Sequence, residues 1–115
     1  MANKGSAGED KAASYLMEKG MRILERNFRS ASGEIDIIAA EGDTIVFAEV
    51  KTWSVYGIDA LEHSLDAKKR RKIIETSKYF LYKHREYRYM AIRFDVIFIA
   101  RNGITHLASA FTECV

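Results

Sequence analysis

Residues 47–53 read FAEVKTW. The stretch has the look of a buried strand, yet it carries Glu49 and Lys51. Side chains alternate along a strand, so Phe47, Glu49 and Lys51 share one face and Val46, Ala48 and Val50 share the other. Two β-rich runs, EIDIIAA (34–40) and TIVFAEV (44–50), are separated by EGD (41–43), which reads as a tight hairpin. A glycine at the first position of the two-residue loop Gly42-Asp43 suits a type II′ turn. That register sets Asp36 opposite Glu49, Glu34 opposite Lys51 and Ile38 opposite Phe47, with Glu34, Asp36 and Ile38 on one face.

Carboxylates facing each other across a strand pair lie about 4.5–5.5 Å apart at Cβ and repel. A sheet built only for stability avoids that, and a divalent cation between Asp36 and Glu49 removes the penalty. Mg²⁺ takes oxygen ligands, typically one or two carboxylates, with water and phosphate oxygens completing the shell. Lys51, next along the same face, can orient or help deprotonate a water on the metal, or steady a phosphate. Glu9 falls on the same stripe as Ala12, Ala13 and Leu16. It reads equally well as a third member of the site or as a first-turn acid complementing a helix dipole.

Working outward, Ala12, Ala13, Leu16 and Met17 recur at helical spacing from about Ala7 to Lys19, with Gly20 as a stop. MRILERNF (21–28) reads as a short strand and SASGE (30–34) as a turn. A long helix is expected from Asp59 to about Tyr82, with Ile73, Ile74, Ser77, Phe80 and Leu81 inward. MAIRFDVIFIA (90–100) is apolar almost throughout, as a central strand covered on both sides would be, and ITHLASA (104–110) is the last strand. The order α-β-β-β-α-β-β predicts an α/β domain, a mixed β-sheet flanked by helices. The third strand, long helix and fourth strand should form a right-handed parallel crossover.

The chain has 115 residues, 48% apolar and 30% charged, with no repeat, low-complexity stretch or proline. This fits one globular domain spanning 1–115. No apolar run approaches the roughly 20 residues of a membrane helix, so no membrane association is expected. The polar start and single cysteine, Cys114, point to a cytoplasmic setting. Net charge is +2 but uneven: residues 1–65 hold 7 Lys/Arg against 11 Asp/Glu, and residues 66–89 hold 9 against 3. An acidic cluster beside a basic helix suits a metal site next to a phosphate-binding surface, although a plain solvated helix face has the same composition.

Asp36, twelve residues, then Glu49-Val50-Lys51 resembles the PD-(D/E)xK nuclease motif. The wider pattern is GED (8–10) with Ala12-Ala13 and Tyr15-Leu16, Gly20, Arg26-Asn27, GEIDIIA (33–39), VFAEVK (46–51), Tyr56-Gly57, Lys68 and RFDVI (93–97). Over nearly the full chain it resembles the bacterial YraN-type family of small endonuclease-like proteins. More distantly, Glu9, Asp36, Glu49 and Lys51 resemble the catalytic set of archaeal Holliday junction resolvases, dimers that cut four-way DNA junctions using Mg²⁺. The resemblance implies a restriction-endonuclease-like fold. It implies a metal held by Asp36, Glu49 and the Val50 carbonyl, water assisted by Lys51, and support from Glu9. The family often carries an Arg two positions after E-V-K. This chain has Trp53 there, whose ring can stack on a base.

Lys68, Lys69, Arg70, Arg71 and Lys72 form a basic run suited to backbone phosphates. Asp95, inside an apolar strand, needs a partner, and Arg93 shares its face. Ser30 and Ser32 read as turn residues near a phosphate. His63, His84 and His106 are too scattered for a zinc site. Tyr79, Tyr82, Tyr87 and Tyr89 interleave with basic residues, a pattern of base stacking or of packing. The leading expectation is a Mg²⁺- or Mn²⁺-dependent endonuclease, a hydrolase of phosphodiester bonds in DNA, acting at branched or repair intermediates. The alternatives are a non-catalytic nucleic-acid-binding protein on a nuclease fold, or a protein-interaction domain. Whether two chains pair into a homodimer stays open; cutting two strands at once favours it.

Overall fold

The computed structural model describes residues 6–52 and 65–112. Helix α1 spans Ser6–Glu18, one residue earlier at each end than the hydrophobic spacing indicates. Gly20 ends it at φ 93°, with Gly20 N–H donating to Met17 and Met21 N–H to Leu16. That pair of hydrogen bonds is a Schellman cap, and it brings Met21 against Leu16 in the core.

Strands β1 (Arg22–Ser30), β2 (Gly33–Glu41) and β3 (Thr44–Thr52) form a meander. Helix α2 (Ala67–Lys83) and a single 3-10 turn (Arg85–Tyr87) lead to β4 (Ala91–Ala100) and β5 (Gly103–Phe111). The five strands lie in chain order, β1-β2-β3-β4-β5. Only β3 and β4 run parallel; the other neighbours are antiparallel. The mixed sheet and the order of elements are those expected from the sequence. Helix α2 starts later than expected. Leu65 and Asp66 are not helical, and the Asp66 carboxylate caps the helix by accepting from Lys69 N–H at 2.9 Å. Residues 59–64 of the expected helix lie outside the described residues.

Among the described residues, each sheet face is covered by one helix. On the α1 side Ala12, Ala13 and Leu16 pack on Ile37, Ala39, Val46, Ala48, Ile97 and Ile99. On the α2 side Ile73 and Phe80 pack on Phe28, Ile38, Ala40, Ile45, Phe47 and Phe94. Period-two alternation in β2 and β3 supplies one apolar set to each face, so both faces are dry and the inner strands read as continuous apolar runs. No helix among the described residues is long and apolar enough to cross a membrane.

The hairpin is built as its turn residues dictate. Gly42 has φ 58° and Asp43 keeps a negative φ, the pattern of a type II′ turn. The β2–β3 ladder runs from Glu41↔Thr44 to Ile37↔Ala48 and pairs Ile38 with Phe47 as expected. There it stops. Ile35 packs on the α2 side and Ile37 on the α1 side, although they are two residues apart. A straight strand cannot place both that way, so β2 changes its facing at Asp36.

Candidate active site

The break in β2 explains where the first carboxylate goes. Past the last rung of the ladder, the Asp36 side chain takes over from a backbone carbonyl, its Oδ2 accepting from Val50 N–H at 2.8 Å. A strand residue's N–H and C=O point the same way, so the Val50 carbonyl is turned to the Asp36 side. Glu49, one residue back on β3, is within hydrogen-bond reach of Asp36. The Asp36 carboxyl is raised from 3.8 to about 7, first by burial and then by the Glu49 charge, with Glu9 adding to it and the Val50 N–H opposing it.

Lys51 reaches back along β3, its Nζ 3.0 Å from Glu49 Oε2, with side chains only 20% and 13% exposed. Burial works against its ammonium. Lys69, Glu49 and Asp36 outweigh that and raise its affinity for the proton. Lys69 comes from the first turn of α2 and touches Lys51. That contact, followed by burial and by the Lys51 charge, lowers Lys69's own affinity. The strand lysine thus stays charged, and the helix lysine gives up its proton more readily.

Glu9 completes the group from α1. Gly8 lets the helix approach: a Cβ there would lie 3.2 Å from Thr52 Oγ1 on β3. Glu9 is 9% exposed, as its place on the apolar stripe requires. Asn27 Nδ2 donates to Glu9 Oε1 at 3.0 Å and to Glu34 Oε2 at 3.3 Å. Arg26 lies beside it, Nη2 at 3.8 Å from Glu9 and 2.7 Å from Asp10. Asn27 adopts φ 53°, a left-handed conformation that asparagine tolerates and that aims its amide at the acids. Asn27 and the approach of Lys69 to Lys51 have no signal in spacing alone. An Asn beside an Arg in the middle of a strand is the one hint of the former.

Two expectations about this neighbourhood are corrected. Asp36 is not a ladder partner of Glu49, because pairing ends one rung earlier; their side chains meet past the end of the ladder. Glu34 does not face Lys51. It pairs with Arg29 on β1, where Arg29 Nε lies 3.6 Å from its carboxylate.

No three His, Cys, Asp or Glu side chains among the described residues converge tightly enough to hold a metal by themselves. The oxygens available are two carboxylates and a carbonyl, a hard donor set that fits Mg²⁺ or Mn²⁺ rather than a softer metal. Burial and the neighbouring Glu49 charge account for the raised Asp36 carboxyl, and the Lys51 ammonium lies 3.0 Å from Glu49.

The basic run splits. Lys68, Arg71 and Lys72 line an open cleft of about 380 Å³ with Ala31, Ser32 and Glu75. Lys69 turns to Lys51, and Arg70 lies on the exposed surface of α2 without lining the cleft. Ser30 donates to Thr76 and accepts from Ser32 N–H, so it fixes the turn onto α2. Trp53 and His63 lie outside the described residues.

Asp95 stands apart from these acids. It is 1% exposed and fully partnered. Arg93 holds it with two bonds (2.9 and 3.0 Å), His106 Nε2 lies 2.6 Å away, and Ser109 N–H donates at 3.0 Å. Tyr15 OH on α1 reaches His106 Nδ1 at 3.0 Å. Burial alone would raise the Asp95 carboxyl. Arg93, Ser109 N–H and His106 together hold it below its ordinary value instead. Ser109 adopts φ 53° where the β4–β5 register shifts, so Asp95 seats a bulge in the edge strand.

Fold and site together define an α/β domain whose sheet carries a partly buried acid pair beside two lysines. The model of the uncharacterised protein family UPF0102 matches residues 8–99, and the chain belongs to that family. It is 51% identical over 108 residues to a UPF0102 protein of Persephonella marina, covering 94% of this chain and 92% of that one. It is 43% identical over 118 residues to a UPF0102 protein of Treponema pallidum (96% and 94% covered). To a UPF0102 protein of Clostridioides difficile it is 43% identical over 110 residues (94% and 96% covered).

Proposed function

We propose that the acid cluster is the active site of a Mg²⁺- or Mn²⁺-dependent nuclease that hydrolyses phosphodiester bonds in DNA. The observation that carries this is the contact of Asp36 with Glu49, which no purely structural role needs, with Lys51 at its edge. Asp36, Glu49 and the Val50 carbonyl would hold the cation. When bound, such a cation supplies Lewis-acid polarisation of a phosphate and of the attacking water. The protein's own groups do the rest. Lys51, kept charged, balances the charge that builds on the phosphate. Lys69 beside it is suited to accept or relay a proton. Glu9, held by Asn27, fixes the negative field around the pair. The likeness of Glu9, Asp36, Glu49 and Lys51 to the PD-(D/E)xK set supports the same reading, with branched or repair intermediates as substrates. Cutting both strands would favour a homodimer, and a single cysteine supports a cytoplasmic setting.

The cleft formed by Lys68, Arg71 and Lys72 favours a second reading, a nucleic-acid-binding protein without catalysis. One assay separates the two. Labelled single-stranded, duplex, flapped and four-way-junction DNA is incubated with Mg²⁺ or Mn²⁺ and wild-type or Lys51→Ala protein. The expected result is cutting of at least one structure, lowered about 10²-fold or more in the variant. Binding with no cutting of any substrate, or cutting that survives Lys51→Ala, removes the catalytic assignment.

A further inference from the structure

The outer side of α2 carries more than a phosphate cleft. Lys68, Arg71, Glu75, Tyr79 and Tyr82 recur at intervals of three and four, so they form one stripe along the helix. Beyond the cleft the stripe becomes aromatic. Tyr79 is 42% and Tyr82 is 72% exposed. Tyr79 is seated against Phe28 at a centroid distance of 6.0 Å, and Lys83 Nζ lies 5.5 Å above its ring. Just past the helix Tyr89 is 89% exposed, with the Arg88 guanidinium 4.8 Å from its ring. Residues 78–89 hold Lys78, Lys83, Arg85 and Arg88 against Glu86 alone, a net charge of +3. Exposed tyrosines flanked by cations offer flat faces for stacking. Rings in a positive field are what the flat faces and phosphates of nucleotides bind.

We infer that this stripe holds an unpaired nucleic-acid strand, with phosphates at Lys68, Arg71 and Lys72 and bases stacked on Tyr79 and Tyr82. Bases inside a duplex present only their edges, so a tyrosine face selects bases that are already unstacked. At 1.5 Å per helical residue, Tyr82 lies about 20 Å along the helix from Lys69. The stripe therefore leads a single strand away from the acid cluster. This sharpens the substrate class to a nucleic acid with a single-stranded arm. It rests on the nuclease reading for its purpose, but not for its test.

The test is fluorescence anisotropy of labelled oligothymidylate and of a hairpin duplex, without divalent metal, against the full chain. Wild type should bind the single strand more tightly. Tyr79→Ala with Tyr82→Ala should weaken that binding about tenfold or more, and Tyr79→Phe with Tyr82→Phe should restore most of it. Lys68→Gln with Arg71→Gln and Lys72→Gln should flatten the slope of log affinity against log salt by about 2. Thermal unfolding of each variant separates lost binding from lost fold. No binding by wild type, equal binding of duplex, or a folded alanine variant with unchanged affinity would overturn the inference. If cutting survives the alanine changes and binding is unchanged, this inference falls and the nuclease reading stands. If single strands bind through the tyrosines but nothing is cut, the inference stands and the nuclease reading falls.

Discussion

Asp36 and Asp95 sit on strands of one sheet, the first partly and the second fully buried, yet their surroundings are opposite. Asp95 receives an arginine, a histidine and a backbone N–H, and its carboxyl is held below the ordinary range. Asp36 receives one backbone N–H and faces other acids, and its carboxyl is raised to about 7. A buried charge kept for structure is matched within the protein. One left unmatched is a candidate functional group. Among the described residues only the Asp36 cluster has that deficit and a lysine pair beside it.

The contrast breaks first at Asp95. Asp95→Ala leaves Arg93 and His106 facing a void and should cost about 3–5 kcal/mol. Urea unfolding measures this, and a loss under about 1 kcal/mol would show that the network is ornamental. A depressed carboxyl contributes stability that is present above its unfolded pKa and lost as pH falls through the folded value, so this contribution should fade only below about pH 4.

Asp36 should behave in the reverse sense. Its folded carboxyl binds a proton more tightly than the unfolded one. Stability should therefore fall as pH rises from about 4 to about 7, then level. Asp36→Asn keeps an acceptor for Val50 N–H and removes the charge. It should stabilise the metal-free protein by about 1–3 kcal/mol at pH 8 and by little at pH 4. Millimolar Mg²⁺ or Mn²⁺ should raise the unfolding temperature of the wild type and not of the variant. Destabilisation at pH 8, or an equal metal response, would put Asp36 in the same class as Asp95. Asp66→Ala removes a helix cap, together with a minor charge interaction on Lys69. It should cost about 1 kcal/mol at any pH above about 5, setting the scale of an ordinary local contact.

What the chain reveals in advance follows the same division. The hairpin register is legible near Gly42-Asp43 because turn chemistry and period-two alternation agree there. Legibility ends at Asp36, because a change of strand facing leaves no period to read. Burial of Glu9 follows from the α1 stripe, but its anchor Asn27 acts through a left-handed backbone. Arg93 can be named as Asp95's partner from the two-residue offset. His106 and Tyr15 cannot, since Tyr15 and His106 lie 91 residues apart. The start of α2 is hidden because Asp59 and Asp66 offer the same capping chemistry, and local sequence does not rank them.

Chain separation distinguishes the hydrogen bond that seats Asp36 from the one that ties Tyr15 to the Asp95 network. Asp36 and Val50 are 14 residues apart, joined by one hairpin, whereas Tyr15 and His106 are 91 apart. Ring closure grows as the logarithm of length, so the shorter closure is favoured by about 1.7 kcal/mol. The Asp36–Val50 bond is thus closed by one hairpin, as are the bonds of Asp95 to His106 and Ser109, 11 and 14 residues away. The long-range Tyr15–His106–Asp95 tie needs almost the whole chain in place. Both carboxylates are thus seated by single hairpins, and the Tyr15–His106 bond ties the first helix to the last strand.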